Sequence, residues 1–472
     1  MLRTHILSIL TQKLGHTPTE SQKKLMMHLP DYILSREESI LLVKGFAGTG
    51  KTTLISSLVN TLSETGINSV LLAPTGRAAK MISSYSGQKA YTIHKKIYRQ
   101  KSSADAFGKF ALDRNLNSHT FFIVDEASMI GNRSIDSDMF GSGNLLDDLL
   151  KYVFNNKKCK LVLVGDTAQL PPVGLNISPA LDEKYLEGSG YPVQTFFLSE
   201  VIRQAEDSGI LFNATKIRCL ISSDFPVIPE INLNSYNDIE RINGADLVEL
   251  LSSAYYRDTP EETIVINRSN KMANKYNQGI RNQILEKESE IAPGDLMMAV
   301  KNNYYWLEES ETTSFIANGD IIEIMNIKKY SELYGFRFAD ATVRLIEHDN
   351  LETDVKLMLD TLHSETASLG NEKGKELFYS VMEDYADLPQ KRRRYEKVRS
   401  DPFFNALQVK FAYAVTCHKA QGGQWKNVFI DQGFFREDML GTEYLRWLYT
   451  AFTRATDKLY LVNFRDDFFG EL

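Results

Sequence analysis

Glu38-Ser39-Ile40-Leu41-Leu42-Val43-Lys44-Gly45-Phe46-Ala47-Gly48-Thr49-Gly50-Lys51-Thr52-Thr53 decides the fold of this chain. A short apolar run, Ile40 to Val43, ends at Gly45. The spacing Gly45-x-x-x-x-Gly50-Lys51-Thr52 follows, and then a run that predicts a helix from Thr53 to Leu62. Strand, glycine-rich loop and helix start in that order are the context that makes a P-loop match credible. Glycines at 45, 48 and 50 let backbone N–H groups turn inward to cradle phosphate oxygens. The helix N-terminus adds its positive end. Lys51 would reach the β- and γ-phosphates, and the Thr52 hydroxyl would ligate Mg²⁺. The loop implies a nucleotide without saying what the nucleotide drives.

Upstream, residues 1–36 are helical by pattern, with Thr17-Pro18-Thr19-Glu20 as a cap and first turn. Gln22 lies on this helix. Its amide has both a donor and an acceptor and could pair with an adenine edge; an exposed helix glutamine is the plain alternative.

Downstream, Asn68 to Ala73 reads as a strand running into Pro74-Thr75-Gly76-Arg77, small residues and hydroxyls suited to close approach of a phosphodiester backbone. His94 follows, a position where a lone histidine is most often structural. Residues 97–117 break the strand–helix rhythm, and Ala106-Phe107-Gly108-Lys109-Phe110 could be a hairpin tip. Exposed aromatics there would wedge or stack against a base; a surface loop pinned by two phenylalanines is equally consistent.

Thr120 to Val124 is a buried strand by its apolar run, with Asp125 and Glu126 at its C-terminal end, where sites lie in open α/β sheets. Asp125 would hold Mg²⁺, and Glu126 would orient and deprotonate an attacking water. Lys160 to Val164 is a further strand, ending in Gly165-Asp166-Thr167-Ala168-Gln169. Gln169 is placed to sense a γ-phosphate or position water. Gln194 to Leu198 closes the sheet, giving a doubly wound α/β domain.

The rest of the chain bounds the answer. Its 472 residues suggest about three domains. Composition is that of a folded protein, 43% hydrophobic and 24% charged, and the net charge of −7 does not advertise nucleic acid, although a basic channel can sit on an acidic molecule. Three separated cysteines, Cys159, Cys219 and Cys417, show no metal-ligand spacing. Residues 1–10 are too short for a signal peptide, and no run reaches the ~18 apolar residues of a membrane span, which predicts a cytoplasmic protein. A second α/β unit begins near Ser199. Period-two alternation around an Asn318-Gly319 turn signals a small β insertion, and a charged helical stretch, 364–400, follows. Its basic run, Lys391 to Arg394 with Lys397 and Arg399, reads as a solvated face or as a phosphate contact.

Taken together, these stretches resemble the superfamily 1 helicases, most of all the Dda-like and RecD-like members of the 5′→3′ branch, superfamily 1B. The resemblance rests on GFAGTGKT (45–52), DEAS (125–128), GDTAQLPPVG (165–174), VTCHKAQGGQWKNV (415–428) and YTAFTRA (449–455), in the family's order. It implies an α/β fold of two RecA-like P-loop domains in tandem, residues 1–197 and 198–293 with 407–472. A small pin-like hairpin insertion would fall at about 97–117, and an SH3-like β-barrel with a charged helical extension at 294–406. ATP with Mg²⁺ would bind between the domains. Gln22, Gly45, Gly48, Thr49, Gly50, Lys51, Thr52, Thr53, Gln421 and Gly422 would contact the nucleotide. Thr52 and Asp125 would hold the metal. Lys51, Glu126, Gln169 and the arginines Arg203 and Arg454 would carry the chemistry, a guanidinium stabilising charge on the transferring phosphoryl group. Thr75, Gly76, His94, Thr416 and His418 would line the strand path, and Phe107 and Phe110 the pin.

The activity implied is an ATP-dependent 5′→3′ DNA helicase of replication, repair or recombination. It would be a monomer acting on single-stranded DNA and duplex junctions, with replication or repair proteins as possible partners and no membrane contact. A DNA-dependent translocase that remodels protein–DNA complexes without unwinding, and an RNA helicase, are the alternatives.

Overall fold

The structure, a computed structural model, describes residues 2–100, 110–132, 140–202, 207–223, 226–234, 236–307 and 315–470. The chain forms two compact units. One gathers residues up to 236 together with Asp438–Thr453; the other gathers 237–437 and the chain from Arg454 onward.

The first unit is built on β1 (Ser39–Gly45), β2 (Asn68–Ala73), β3 (Ala90–Thr92), β4 (Tyr98–Gln100), β5 (Phe110–Leu112), β6 (Thr120–Val124), β7 (Lys160–Gly165) and β8 (Val193–Leu198). Six of these make one parallel sheet in the order β3-β2-β6-β7-β1-β8. Its central strands are apolar on both faces because helices cover both, the usual state of a parallel sheet. Leu10, Leu25, Leu29, Leu58 and Leu62 from the flanking helices pack on Leu41, Val43, Ile123 and Val162. The register puts the C-terminal ends of β6, β7 and β1 side by side. Strands β4 and β5 pair as a separate antiparallel hairpin.

The sequence pattern suggests a domain boundary near 197, yet residues 199–202 and the helix Gly209–Ile221 stay with the first unit. Ile202 N–H donates to the Gly48 carbonyl at 3.0 Å, and the Glu200 carboxylate accepts from Ser21 N–H at 3.3 Å. These bonds strap the segment across the glycine-rich loop.

The second unit adds β9 (Ile239–Ile242), β10 (Thr263–Asn267), β11 (Leu296–Ala299), β12 (Ile321–Leu333), β13 (Phe336–Leu345), β14 (Leu351–Met358), β15 (Leu407–Phe411), β16 (Ala414–Thr416), β17 (Trp425–Asp431) and β18 (Ala455–Val462). A parallel five-stranded sheet runs β16-β10-β17-β18-β9, and β11 to β15 close into a barrel. The fold is thus two tandem RecA-like domains with a five-stranded barrel inserted in the second. Asn318-Gly319 does form the expected turn, with Asp320 N–H donating to the Ala317 carbonyl at 3.1 Å and Gly319 at φ 99°, and it leads into β12. A second tight turn joins the two long strands. That turn is Tyr334-Gly335, between β12 and β13, with φ of 56° and 76°. Positive φ at both central positions is what a two-residue hairpin needs for its twist to match the strands. The charged stretch forms helices Asn371–Glu383 and Lys391–Arg399, which bury Leu377, Val381 and Val398 against Phe336, Phe338 and Met358 of the barrel.

One buried acid lies where the barrel meets the rest of the second unit. Asp295 is fully buried and accepts from Arg281 Nε and Nη2 at 3.1 and 3.0 Å, Lys287 Nζ at 3.1 Å, Tyr413 Oη at 3.1 Å and Ala292 N–H at 2.7 Å. Removing one partner of such a cluster strands buried charge. Asp295→Ala is expected to destabilise the second unit by roughly 3–5 kcal/mol. Lys328→Ala, which breaks the exposed Lys328–Asp354 pair, should cost under about 1 kcal/mol. Thermal unfolding of both variants checks this; equal shifts would remove Asp295 from this role.

Candidate nucleotide-binding site

The helix Lys51–Glu64 starts on Gly50, which has φ +75° and no side chain to cap the first turn. A Cβ at Gly50 would lie 2.5 Å from Gln22 Nε2 and 2.6 Å from Ile202 Cδ1, so only glycine fits. The first N–H groups of that helix have no intrahelical acceptor by geometry. Within the loop, Lys51 Nζ donates to the Phe46 carbonyl at 2.8 Å, and Thr49 Oγ1 donates to the same oxygen at 2.8 Å.

Gln22 is fully buried rather than exposed. It sits in a capping box with Thr19: its Oε1 accepts from Thr19 N–H at 3.0 Å, and Thr19 Oγ1 accepts from Gln22 N–H. Its Nε2 donates to the Thr49 carbonyl at 3.0 Å. The geometry therefore gives Gln22 a supporting role behind the loop, beside the base-reading role expected of it.

Asp125 and Glu126 stand at the end of β6. Asp125 N–H donates to the Leu72 carbonyl, and Asp125 Oδ1 accepts from Glu126 N–H at 2.8 Å. Burial pushes the Asp125 carboxyl up, to about 6. The Glu126 charge adds to the rise, and the Glu126 N–H bond and Lys51 oppose it. Glu126 has φ 52°, a left-handed conformation that is uncommon for a non-glycine residue and is concentrated at functional sites.

Next to them, at the end of β7, Gln169 is 5% exposed and its Oε1 has no hydrogen-bond partner; Ser128 Oγ, after β6, is likewise buried and unpartnered. Buried polar atoms are normally paired, so two orphans beside a loop of free N–H groups fit a polar ligand carrying a cation and water. Lys51, Thr52, Asp125, Glu126 and Gln169 are thus brought to the ends of three adjacent strands. Sequence reasoning missed Tyr449 and Thr450. Tyr449 Oη accepts from Ala47 N–H at 2.8 Å and donates to Asp166 Oδ2 at 2.7 Å, and Thr450 Oγ1 accepts from Leu170 N–H at 2.8 Å.

Comparison with known proteins finds the following similarities. A family model described as "AAA domain" matches residues 18–218, and one described as "UvrD-like helicase C-terminal domain" matches 411–462. The ATP-dependent DNA helicase dda of Enterobacteria phage T4 is 24% identical over 423 residues, which cover 87% of this chain and 92% of that one. The ATP-dependent RecD2 DNA helicase of Deinococcus radiodurans is 23% identical over 432 residues, 89% of this chain but only 46% of RecD2. This chain therefore spans about half of RecD2. Among solved structures, Bacteroides Pif1 helicase in complex with ADP-AlF3 and single-stranded DNA aligns with a TM-score of 0.47 at 16% identity, covering 97% and 95% of the two chains.

Over most of its length the chain is thus similar to ATP-dependent DNA helicases. The other residues singled out by the superfamily 1B resemblance are placed as follows. Arg203 and Phe107 lie outside the described residues. Phe110 is a correction: it is not at a tip but in β5, 7% exposed, stacked on Phe140 with ring centroids 5.0 Å apart. Thr75 caps the helix Gly76–Ser86 through a bond from Ala78 N–H. Thr416, His418, Gln421, Gly422 and Arg454 belong to the second unit. His418 is exposed and Gln421 buried. Arg454 is 3% exposed, and its Nη1 donates to the Gly423 carbonyl at 3.1 Å.

His94 packs edge-on to Phe140, centroids 5.0 Å apart, and tilted to Tyr98 at 5.7 Å. Burial lowers its pKa from 6.5 to about 4. It is therefore neutral at physiological pH and supports aromatic packing rather than a charged phosphate contact. A depressed histidine contributes stability that is present above its unfolded pKa and lost as pH falls through its folded one. Between pH 6.5 and 4 the wild type should lose stability more steeply than His94→Phe. Denaturation midpoints across that range measure it, and parallel curves would refute the assignment.

Proposed function

We propose that this chain is an ATP-dependent DNA helicase that tracks 5′→3′ on single-stranded DNA and parts the duplex ahead of it. The observation that supports this most is the convergence of Lys51 and Thr52, Asp125 and Glu126, and Gln169 at the C-terminal ends of β1, β6 and β7. That is the constellation phosphoryl transfer to water requires. The DNA substrate is inferred from the relatives' names, and the polarity rests on the superfamily 1B resemblance.

The Thr52 hydroxyl and the Asp125 carboxylate would hold Mg²⁺, which would supply positive charge against the phosphates. Burial and the Glu126 charge raise the Asp125 pKa, and a cation beside the carboxylate would offset that rise. Lys51 exchanges the Phe46 carbonyl for a phosphate oxygen. Glu126 takes the proton of the attacking water, and the unpartnered Oε1 of Gln169 accepts a second bond from that water and fixes its direction. Arg203 and Arg454 supply positive charge to the γ-phosphate, as the resemblance implies; Ile202, next to Arg203, is bonded to Gly48.

Thr75, Gly76, Thr416 and His418 contact the strand mainly through phosphate and sugar, so sequence preference is weak. The hairpin β4–β5 carries the pin, with Phe107 as its candidate wedge. We further infer a monomer acting in the cytoplasm with the replication or repair machinery. Among the described residues, no helix is long and apolar enough to cross a membrane.

An unwinding assay on two partial duplexes, one with a 5′ tail and one with a 3′ tail, tests the reading. Unwinding of the 5′-tailed substrate only, and only with ATP, is expected; preference for the 3′ tail would overturn the polarity. Glu126→Gln should lower ATP turnover by about a hundredfold or more, and Lys51→Ala should abolish it. Both should leave strand binding within about threefold of wild type, since neither residue is on the strand path. Normal turnover in either variant would remove that residue from the mechanism.

A further inference from the structure

The strands β1 and β7 are neighbours, and the loops that follow them carry the phosphate cradle and Gln169. Both loops are fastened to one helix, Thr442–Phe452, by two consecutive residues. Tyr449 is 1% exposed, and its hydroxyl lies between Ala47 N–H at 2.8 Å and Asp166 Oδ2 at 2.7 Å. The order of donors follows from the chemistry. The amide can only donate, so Tyr449 accepts from Ala47 and gives its own proton to the Asp166 carboxylate. Burial, reinforced by the Asp166 charge, holds the phenol protonated. The other Asp166 oxygen accepts from Ala168 N–H at 2.8 Å. On the far side of Gln169, Leu170 N–H donates to Thr450 Oγ1 at 2.8 Å, and Thr450 Oγ1 in turn donates to the Arg446 carbonyl at 2.7 Å.

Gln169 itself contributes nothing to this network, because its Oε1 is unpartnered. Its direction is set by the residues around it, at 166, 168 and 170. Two of those three are tied to Tyr449 or Thr450, and the same Tyr449 hydroxyl holds Ala47 in the phosphate loop.

We propose that Tyr449 and Thr450 are positioning residues that clamp the Gln169 loop from both sides and fix it in register with the phosphate loop, so that the Gln169 carboxamide is aimed before the nucleotide is cleaved. Neither touches the reacting atoms. The inference rests on the ATPase reading above and assigns a role to two residues that the motif analysis had left without one. A charge-assisted bond from a buried hydroxyl to a carboxylate is among the stronger hydrogen bonds, and its loss leaves both partners unpaired.

The test is steady-state ATP turnover, stimulated by single-stranded DNA, in the full chain. Tyr449→Phe keeps the ring and deletes the hydroxyl. Thr450→Val keeps the shape and deletes the acceptor. Each is expected to lower kcat about tenfold while the KM for ATP and the affinity for ADP stay within about threefold. A general loosening of the fold would move all of these together. The decisive arm is a double-mutant cycle with Gln169→Ala. If the two residues act through Gln169, adding Tyr449→Phe or Thr450→Val to Gln169→Ala should cost no more than about twofold. A full tenfold further loss in that background, or single variants within twofold of wild type, would overturn the proposal. Should Tyr449→Phe fail to fold, Thr450→Val decides alone. A wild type without ATP turnover would instead defeat the ATPase reading, so the two failures are distinguishable.

Discussion

A helix that begins without a cap, in a half-buried position, is the constraint on which the rest of the first unit depends. Several other helices satisfy their starts with side chains: Thr19, Thr75, Thr92, Asn144, Ser208 and Ser269 each accept a bond from the first turn they precede. The helices that begin at Leu247, Asn371, Lys391 and Thr442 have no such cap. At Lys51 the position belongs to Gly50, which has nothing to offer. The donors of that turn are left for an anion, and the helix dipole favours one. The outer side of the loop is fastened at three consecutive residues. Ala47 N–H goes to Tyr449, the Gly48 carbonyl to Ile202 and the Thr49 carbonyl to Gln22. With that side occupied, the remaining backbone donors can only face inward.

The acids follow from the same economy of position. Two carboxylates on consecutive residues at the end of a buried strand sit close together, and burial and the Glu126 charge both penalise the charged form of Asp125. The chain nonetheless keeps Asp125 buried and holds Glu126 in a left-handed conformation. Neither arrangement serves the packing of β6, whose five residues are already fully buried. Strain and desolvation of this kind persist where the surrounding fold overdetermines them and where function uses them. A bound cation relieves the charge on Asp125, so the site is least comfortable without its ligand.

How much of this could be read from the sequence depends on the range of the interactions involved. Strands β1, β6 and β7 declared themselves because a doubly covered parallel strand is a continuous apolar run, a local signal. Lys51, Asp125 and Gln169 were legible because each follows such a run directly. Gln22 was half legible. Its position on the helix was plain, but its complete burial comes from Thr49, 27 residues away, and no local pattern encodes that. Of the two tight turns in the insertion, only one was legible. Asn318-Gly319 has the residues a tight turn prefers, whereas Tyr334 adopts positive φ because the long pairing of β12 with β13 leaves two residues to reverse the chain. Phe110 looked like a tip residue because its run is short and aromatic, and Phe140, which stacks on it, lies 30 residues further on. Tyr449 and Thr450 were quoted in a motif and given no role, since a hydroxyl carries no information about its partner until the partner is in place.

Those partners are far away along the chain. Tyr449 is separated by 402 residues from Ala47 and by 283 from Asp166, and Thr450 by 280 from Leu170. Closing a loop of that length costs only logarithmically more than closing a short one, so the stability of the first unit does not suffer for it. The consequence is one of order. The sheet and its glycine-rich loop can form from residues before 200, but the loop acquires its full set of outer bonds only when the helix Thr442–Phe452 has docked. From then on the donors that face the phosphates are held by partners that do not take part in the reaction. Fixed dipoles of this kind need not reorganise as charge develops, which is where preorganised sites gain most of their advantage over water. The helix that holds them is the last piece of the first unit, and the chain leaves it at Thr453 to enter the second unit at Arg454. Any displacement of that helix must therefore act on the phosphate loop and the Gln169 loop together, because Tyr449 is bonded to both and Thr450 to the second.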